Sequence, residues 1–210
     1  MDFSLIETMR WTPEDGFLRV EQHLRRLSRS ADALGFRQPQ DARKQLDDAV
    51  GGDERLRVRL VMSFRGKIEV TTTPFVLQSP EKVWKVRIGT TKLKSDDPLY
   101  RHKTSRREPY EAARAEFSAD EADEVLLTNE RGEMCEGTIT NLFVEDQDGM
   151  LLTPPITSGI LPGVLRADLI RERRAKGALL TPADLQEAMT AGRKILVGNS
   201  LRGLIRTELV

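Results

Sequence analysis

The sequence predicts a two-domain α/β protein, with a small α+β domain over residues 1–80 and a larger, mainly β domain with helices over 81–210. Three observations predict it. The first third of the chain carries one helical apolar stripe followed by an alternating hairpin pattern. The segment LQSPEKV (Leu77 to Val83) then joins a proline to charges without periodicity, which reads as a linker with its boundary near Pro80. Beyond it, short apolar bursts separated by turn signals dominate.

The elements follow in order. FSLIETMRW (Phe3 to Trp11) alternates imperfectly and ends in TPEDG, as a strand leaving a sheet does. From Val20 the apolar positions Val20, Leu24, Leu27, Ala31 and Leu34 form one helical stripe, which Gly35 ends. A more polar helix is expected over Asp41 to Val50, broken by Gly51-Gly52. Leu56, Val58 and Leu60 alternate with Arg55, Arg57 and Arg59, and Arg65-Gly66 turns the chain into KIEVTTTPFVL, so a hairpin with one wet face is expected.

Past the linker, a strand is expected over Trp84 to Thr91 and a helix over Pro109 to Phe117. Asp123 to Pro155 holds three apolar bursts separated by NERG and QDG, as in a meander. Helices are expected after Gly163 and over Pro182 to Met189, and KILVGNSLRGLI reads as one buried final strand with a break at Gly198-Asn199.

Composition narrows the function classes. The apolar fraction is 39%, to which 15 glycines add, within the ordinary globular range of about 45–50%. Lys plus Arg and Asp plus Glu each total 33, so no global field gathers nucleic acid or an anionic membrane, and any anion site is local. Cys135 is the single cysteine, and only His23 and His102 supply imidazoles, so neither a disulfide nor a metal site is expected. The start MDFSLIETMR lacks the apolar core of a signal peptide, and no run approaches the length of a membrane span. A soluble, cytoplasmic protein is expected.

Several residues could carry chemistry. Lys103, flanked by Arg101, His102, Arg106 and Arg107, is a lysine whose ammonium form such neighbours disfavour, and a neutral amine attacks aldehydes. A solvated basic loop is the plainer reading. Glu136 in MCEGTITNLF stands between apolar bursts; composition favours a turn glutamate facing water, whereas burial would demand a partner. LPGVLR puts Pro162 and Gly163 before a helix, whose Val164 and Leu165 amides would meet a phosphate or simply begin an ordinary helix. His23 and Arg26 share a helix face, where pattern alone gives a boundary histidine and a solvated arginine. Cys135 reads as a small buried hydrophobe, and the arginines of RLRVRL as a wet sheet face.

Taken in order, ETMR, HLRRL, HKT, EGTITNLF, LLTPP, GILPGVLR and VGNSLRG resemble the class IV aminotransferase family of pyridoxal-phosphate enzymes, fold type IV, from about Ile6 to Ile205. That resemblance implies a small α+β domain, a larger barrel-like β domain with peripheral helices, pyridoxal 5′-phosphate bound between them, and a homodimer. It implies that Lys103 links to the cofactor and shuttles a proton, and that Glu136 keeps the pyridine nitrogen protonated. Arg26, the Val164 and Leu165 amides and the Ser200 hydroxyl would hold the phosphate.

Within the family, FSLIETMRWTPEDGF, HKTSRREPYEAAR and VGNSLRG look most like the 4-amino-4-deoxychorismate lyases, in which residues matching Thr8 and Asn199 orient the substrate. An amino-acid transaminase, for D-amino acids before branched-chain ones, is the second reading, and a non-catalytic relative the third. Three departures stand out: the chain begins at the ETMR strand, implying a trimmed small domain. Glu108 stands five residues after the lysine where branched-chain enzymes have a tyrosine, the nearest being Tyr110. Thr138-Ile139-Thr140 follows Glu136 where relatives differ.

Overall fold

In the computed structural model, which describes residues 3–210, the chain divides into two compact units. One comprises the chain up to Leu77 together with His102–Arg106; the other comprises Gln78–Arg101 and Arg107–Val210.

The first unit is a four-stranded antiparallel sheet with two helices. Its strands are β1 (Leu5–Thr12), β2 (Gly16–Phe17), β3 (Leu56–Met62) and β4 (Ile68–Pro74), in the order β2-β1-β3-β4, and its helices are α1 (Val20–Leu34) and α2 (Ala42–Asp48). The predicted stripe of α1 packs Val20, Leu27 and Ala31 into one core with Leu5 and Met9 of β1 and Val58, Leu60 and Met62 of β3. Gly35 ends α1 at φ 70°, and the amide of Phe36 donates back to the Ala31 carbonyl at 2.8 Å, closing the helix as a left-handed glycine permits. The β3–β4 turn forms at Ser63–Lys67 with Gly66 at φ 82°. Along β3 the exposed Arg57 and half-buried Arg59 stand on the face away from that core.

The second unit contains β5 (Trp84–Leu93), α3 (Glu108–Ala115), β6 (Glu124–Asn129), β7 (Met134–Gly137), β8 (Asn141–Glu145), β9 (Leu151–Thr153), α4 (Val164–Arg171), β10 (Ala175–Gly177), α5 (Pro182–Thr190), β11 (Ile195–Asn199) and β12 (Gly203–Leu209). Strand order β10-β9-β8-β11-β12-β5-β6-β7 is closed by pairing of β7 with β8, so the sheet forms a barrel with β9 and β10 appended. Its interior holds Trp84, Val86, Leu126, Met134, Leu142, Val144, Val197 and Ile205. Thr181 and Asp184 form a reciprocal capping box before α5, with Pro182 in its first turn. Among the described residues no helix is long and apolar enough to cross a membrane.

Two expectations need correction. The middle burst of the predicted meander is two strands, β7 and β8, because the chain turns through Thr138–Thr140. The final apolar run is likewise a hairpin: β11 ends at Asn199 and β12 begins at Gly203, which takes φ 81°, and Asn199 Oδ1 accepts from the Arg202 amide at 2.9 Å across the turn. A polar side chain closes each turn, so neither shows the Asn-Gly signature of a tight hairpin.

Candidate active site

In the first unit, Lys103 is held by its backbone. The Ile6 amide donates to the Lys103 carbonyl at 2.8 Å, the Ser105 amide donates to the Ser4 carbonyl at 2.9 Å, and Leu5 lies opposite Thr104. That pattern is a one-residue antiparallel pairing at the edge of β1, so side chains alternate about it. His102 and Thr104 turn to the helix side, where His102 Nδ1 lies 2.9 Å from Ser30 Oγ of α1 and Thr104 is buried. Lys103 takes the opposite side, which on β1 belongs to Ile6, Thr8 and Arg10. Thr8 and Lys103 therefore share a face. Of the flanking arginines, Arg106 stacks over Phe3 at 5.6 Å and Arg107 over Tyr110 at 5.0 Å, so they are not simply solvated charges.

Arg26 stands on the helix side. Its Nε donates to Glu7 Oε1 at 2.8 Å and its terminal nitrogen to Glu7 Oε2 at 2.6 Å. His23 Nδ1 meets the same Oε2 at 2.6 Å, and since an ionised carboxylate only accepts, the imidazole donates. Glu7 is buried because alternation along β1 places it between Leu5 and Met9, facing the core. Burial alone would raise its pKa, but the Arg26 charge and then His23 outweigh it and hold the carboxyl at about 2. His23, read from the sequence as a boundary residue, is buried in the first turn of α1, and Arg26 is an ion-pair partner rather than a solvated charge.

In the second unit, Glu136 is 4% exposed, which corrects the expectation of a turn glutamate facing water. Its Oε1 accepts from the Tyr110 hydroxyl at 2.8 Å and the Leu161 amide at 3.0 Å, and its Oε2 from Asn141 Nδ2 at 3.0 Å. The Asn141 amide also donates to the Leu161 carbonyl at 3.0 Å, tying the loop before α4 to the carboxylate. A side chain at Gly163 would put its first carbon 1.9 Å from Asn141 Oδ1, so this position needs glycine.

Gly163 is the extended residue before α4, and no side chain caps the helix there. Helix geometry leaves the Val164 and Leu165 amides without intrahelical acceptors, at the positive end of the dipole. Gly198 at the end of β11 packs against Leu165, so the turn carrying Asn199 and the buried Ser200 lies beside that end. Asn199 Nδ2 donates to the Ile139 carbonyl at 3.1 Å. Glu136, Val164, Leu165, Asn199 and Ser200 are thus gathered at one end of the barrel. Cys135 is buried, its Sγ lies 3.2 Å from the Ser158 carbonyl, and burial pushes the thiol pKa up, which suits a core residue rather than a nucleophile.

The family description "Amino-transferase class IV" matches residues 4–209. The chain belongs to the class IV aminotransferase family. A Mesorhizobium loti crystal structure described as an amino-acid aminotransferase is 48% identical with a TM-score of 0.94, and each chain is covered completely. A Thermotoga maritima protein described as a branched-chain-amino-acid aminotransferase is 28% identical over 81% of this chain and 67% of its own length. A Legionella pneumophila structure described as a 4-amino-4-deoxychorismate lyase covers 98% of this chain and 82% of its own, at 22% identity and a TM-score of 0.83, a likeness of fold.

Class IV enzymes use pyridoxal phosphate, and the donor set of this class IV chain suits that group. A buried carboxylate, which accepts from Tyr110 and the Leu161 amide and also feels the charge of the buried Arg166, complements a ring cation, and a helix end without a side-chain cap complements a phosphate. Sequence reasoning missed Glu7, Tyr110 and Asn141 as supports of Arg26 and Glu136. The alternation Leu5, Glu7, Met9 did carry a signal, a charge on an apolar face. It also missed Glu124, a fully buried carboxylate whose oxygens accept from the Thr138 amide and hydroxyl, the Ile139 amide and the Thr140 hydroxyl at 2.6–3.1 Å. Glu124 thereby fixes the turn between β7 and β8.

Proposed function

We propose that this class IV enzyme binds pyridoxal 5′-phosphate and converts 4-amino-4-deoxychorismate to 4-aminobenzoate, a folate precursor, and pyruvate. The observation that carries the cofactor part is Glu136, sunk in the second unit and tied through Leu161 and Asn141 to the start of α4. A carboxylate for a ring nitrogen, on β7, and amides for a phosphate, at the start of α4, are then tied to each other by these hydrogen bonds. The lyase part rests on Asn199, whose side chain is fixed by the Ile139 carbonyl and the Arg202 amide beside Ser200.

When bound, the cofactor supplies an electron sink for negative charge at the substrate carbon. In this reading Lys103 Nζ holds the cofactor at rest and delivers a proton to the departing three-carbon fragment. Glu136 retains a proton on the ring nitrogen. Arg26, the Val164 and Leu165 amides and Ser200 hold the phosphate, while Thr8 and Asn199 orient the substrate. Loss of pyruvate leaves an aromatic ring, which drives the reaction. The same reading takes the active species to be a cytoplasmic homodimer acting on a small amino substrate.

Amino-acid transamination is the second reading, supported by the 48% identity to the Mesorhizobium loti protein described as an aminotransferase. It needs a keto-acid acceptor, which the lyase does not. The deciding experiment supplies pyridoxal phosphate and the chorismate-derived amine without any keto acid and follows 4-aminobenzoate and pyruvate. Product that disappears in Lys103→Ala supports the lyase. Bound cofactor without product, followed by turnover of D-alanine or a branched-chain amino acid with 2-oxoglutarate, supports transamination. Failure to bind the cofactor overturns both and leaves a non-catalytic relative.

A further inference from the structure

We infer that Glu7 is the positioning residue of Arg26, setting the guanidinium in the one orientation that serves a phosphate. This rests on the reading that Arg26 is a phosphate ligand. Arg26 reaches Glu7 through two nitrogens, one to each carboxylate oxygen, at 2.8 and 2.6 Å. Such a two-point bond fixes the plane of the guanidinium as well as its place. The Glu7 side chain is 1% exposed, whereas Arg26 keeps 13%, so the anion is sealed in the core and the cation remains reachable.

Stability alone is a weak account of this arrangement. Desolvating a carboxylate and a guanidinium offsets most of their attraction, and apolar residues of similar volume commonly do as well. Glu7 moreover sits between Leu5 and Met9 on a strand face that is otherwise apolar, where a leucine would complete the core. His23, one helical turn before Arg26, donates to the same Oε2 at 2.6 Å. That third bond stops the carboxylate from rotating about its own axis, so β1 holds Glu7 and Glu7 holds Arg26. The stem of Arg26 is flexible; its head is not.

The test measures binding rather than turnover, using the full-length chain with pyridoxal 5′-phosphate and with pyridoxal, which lacks the phosphate. The ratio of the two affinities isolates the phosphate site. Arg26→Gln is expected to lower that ratio at least about tenfold, Glu7→Gln to lower it comparably, and the double variant to lower it no further. A ratio unchanged in Arg26→Gln sinks the phosphate reading itself. A ratio lowered in Arg26→Gln but intact in Glu7→Gln overturns the positioning role alone. Should Glu7→Gln fail to fold, Glu7→Asp keeps the charge and withdraws it by one methylene. It is expected to lower the ratio while pyridoxal binds as in the wild type, and a wild-type ratio in Glu7→Asp overturns the proposal.

Discussion

The phenolic hydroxyl of Tyr110 donates to Glu136 Oε1 at 2.8 Å. Burial, and after it the negative charge of Glu136, push the phenol pKa well up, so Tyr110 remains a donor throughout the working pH range. The Tyr110 hydroxyl is therefore spent on the carboxylate.

Tyr110→Phe removes this donor, while the Leu161 amide and the Asn141 side chain still donate to Glu136. Loss of a hydrogen bond to a buried charge is expected to lower stability by about 1.5–3 kcal/mol, read from urea unfolding. An unchanged midpoint would mean that the bond carries no weight.

Glu7 gives the protein an acid limb. Its folded pKa of about 2 lies below the ordinary 4.5, so its contribution is complete above the unfolded value and drains away as pH falls from 4.5 toward 2. About 3 kcal/mol is at stake across that window. Unfolding free energies measured through the window should flatten in Glu7→Gln, and an identical slope in both proteins would refute the assignment.

Glu124 is surrounded by donors alone. In Glu124→Gln the amide nitrogen must face either the Thr138 amide and hydroxyl or the Ile139 amide and Thr140 hydroxyl, and either choice sets donor against donor. A loss of about 3 kcal/mol is expected. Amide exchange at Thr138 and Ile139 should quicken with it; protection equal to wild type would contradict the account.

Gly163→Ala would force Asn141 out of the place where its oxygen lies 1.9 Å from the new methyl, breaking its bonds to Glu136 and to the Leu161 carbonyl. Overpacking here is expected to cost about 1–3 kcal/mol and to weaken cofactor retention. Gly177→Ala, whose methyl would meet nothing nearer than Pro155 at 4.0 Å, is the control. Equal melting temperatures for the two variants would remove the special status of Gly163.

The elements that local periodicity encodes were legible: the stripe of α1, its stop at Gly35 and the alternation of β3 all lie where the sequence places them. What it hid depends on partners far along the chain. Ser4 and Ser105 pair across 101 residues, and no spacing within either segment announces it. The Thr138–Thr140 turn is shaped by Glu124, which sits 14 residues before Thr138 and looks from sequence like the start of an ordinary apolar run. Motif order pointed to Lys103, Arg26 and Glu136, but the groups that aim them come from other elements. A charge on an apolar face, as at Glu7, was the one clue that sequence did offer.

The return of His102–Arg106 to the edge of β1 has an evolutionary consequence. A breakpoint in the stretch around Pro80 would look harmless on a linear map, yet a fragment ending there would forfeit the short segment that pairs with Ile6 and with it Lys103. The other fragment would carry the lysine without the sheet that orients it. On the role proposed for Lys103, neither half alone would keep that chemistry, so a recombination that preserved it would have to move both units together.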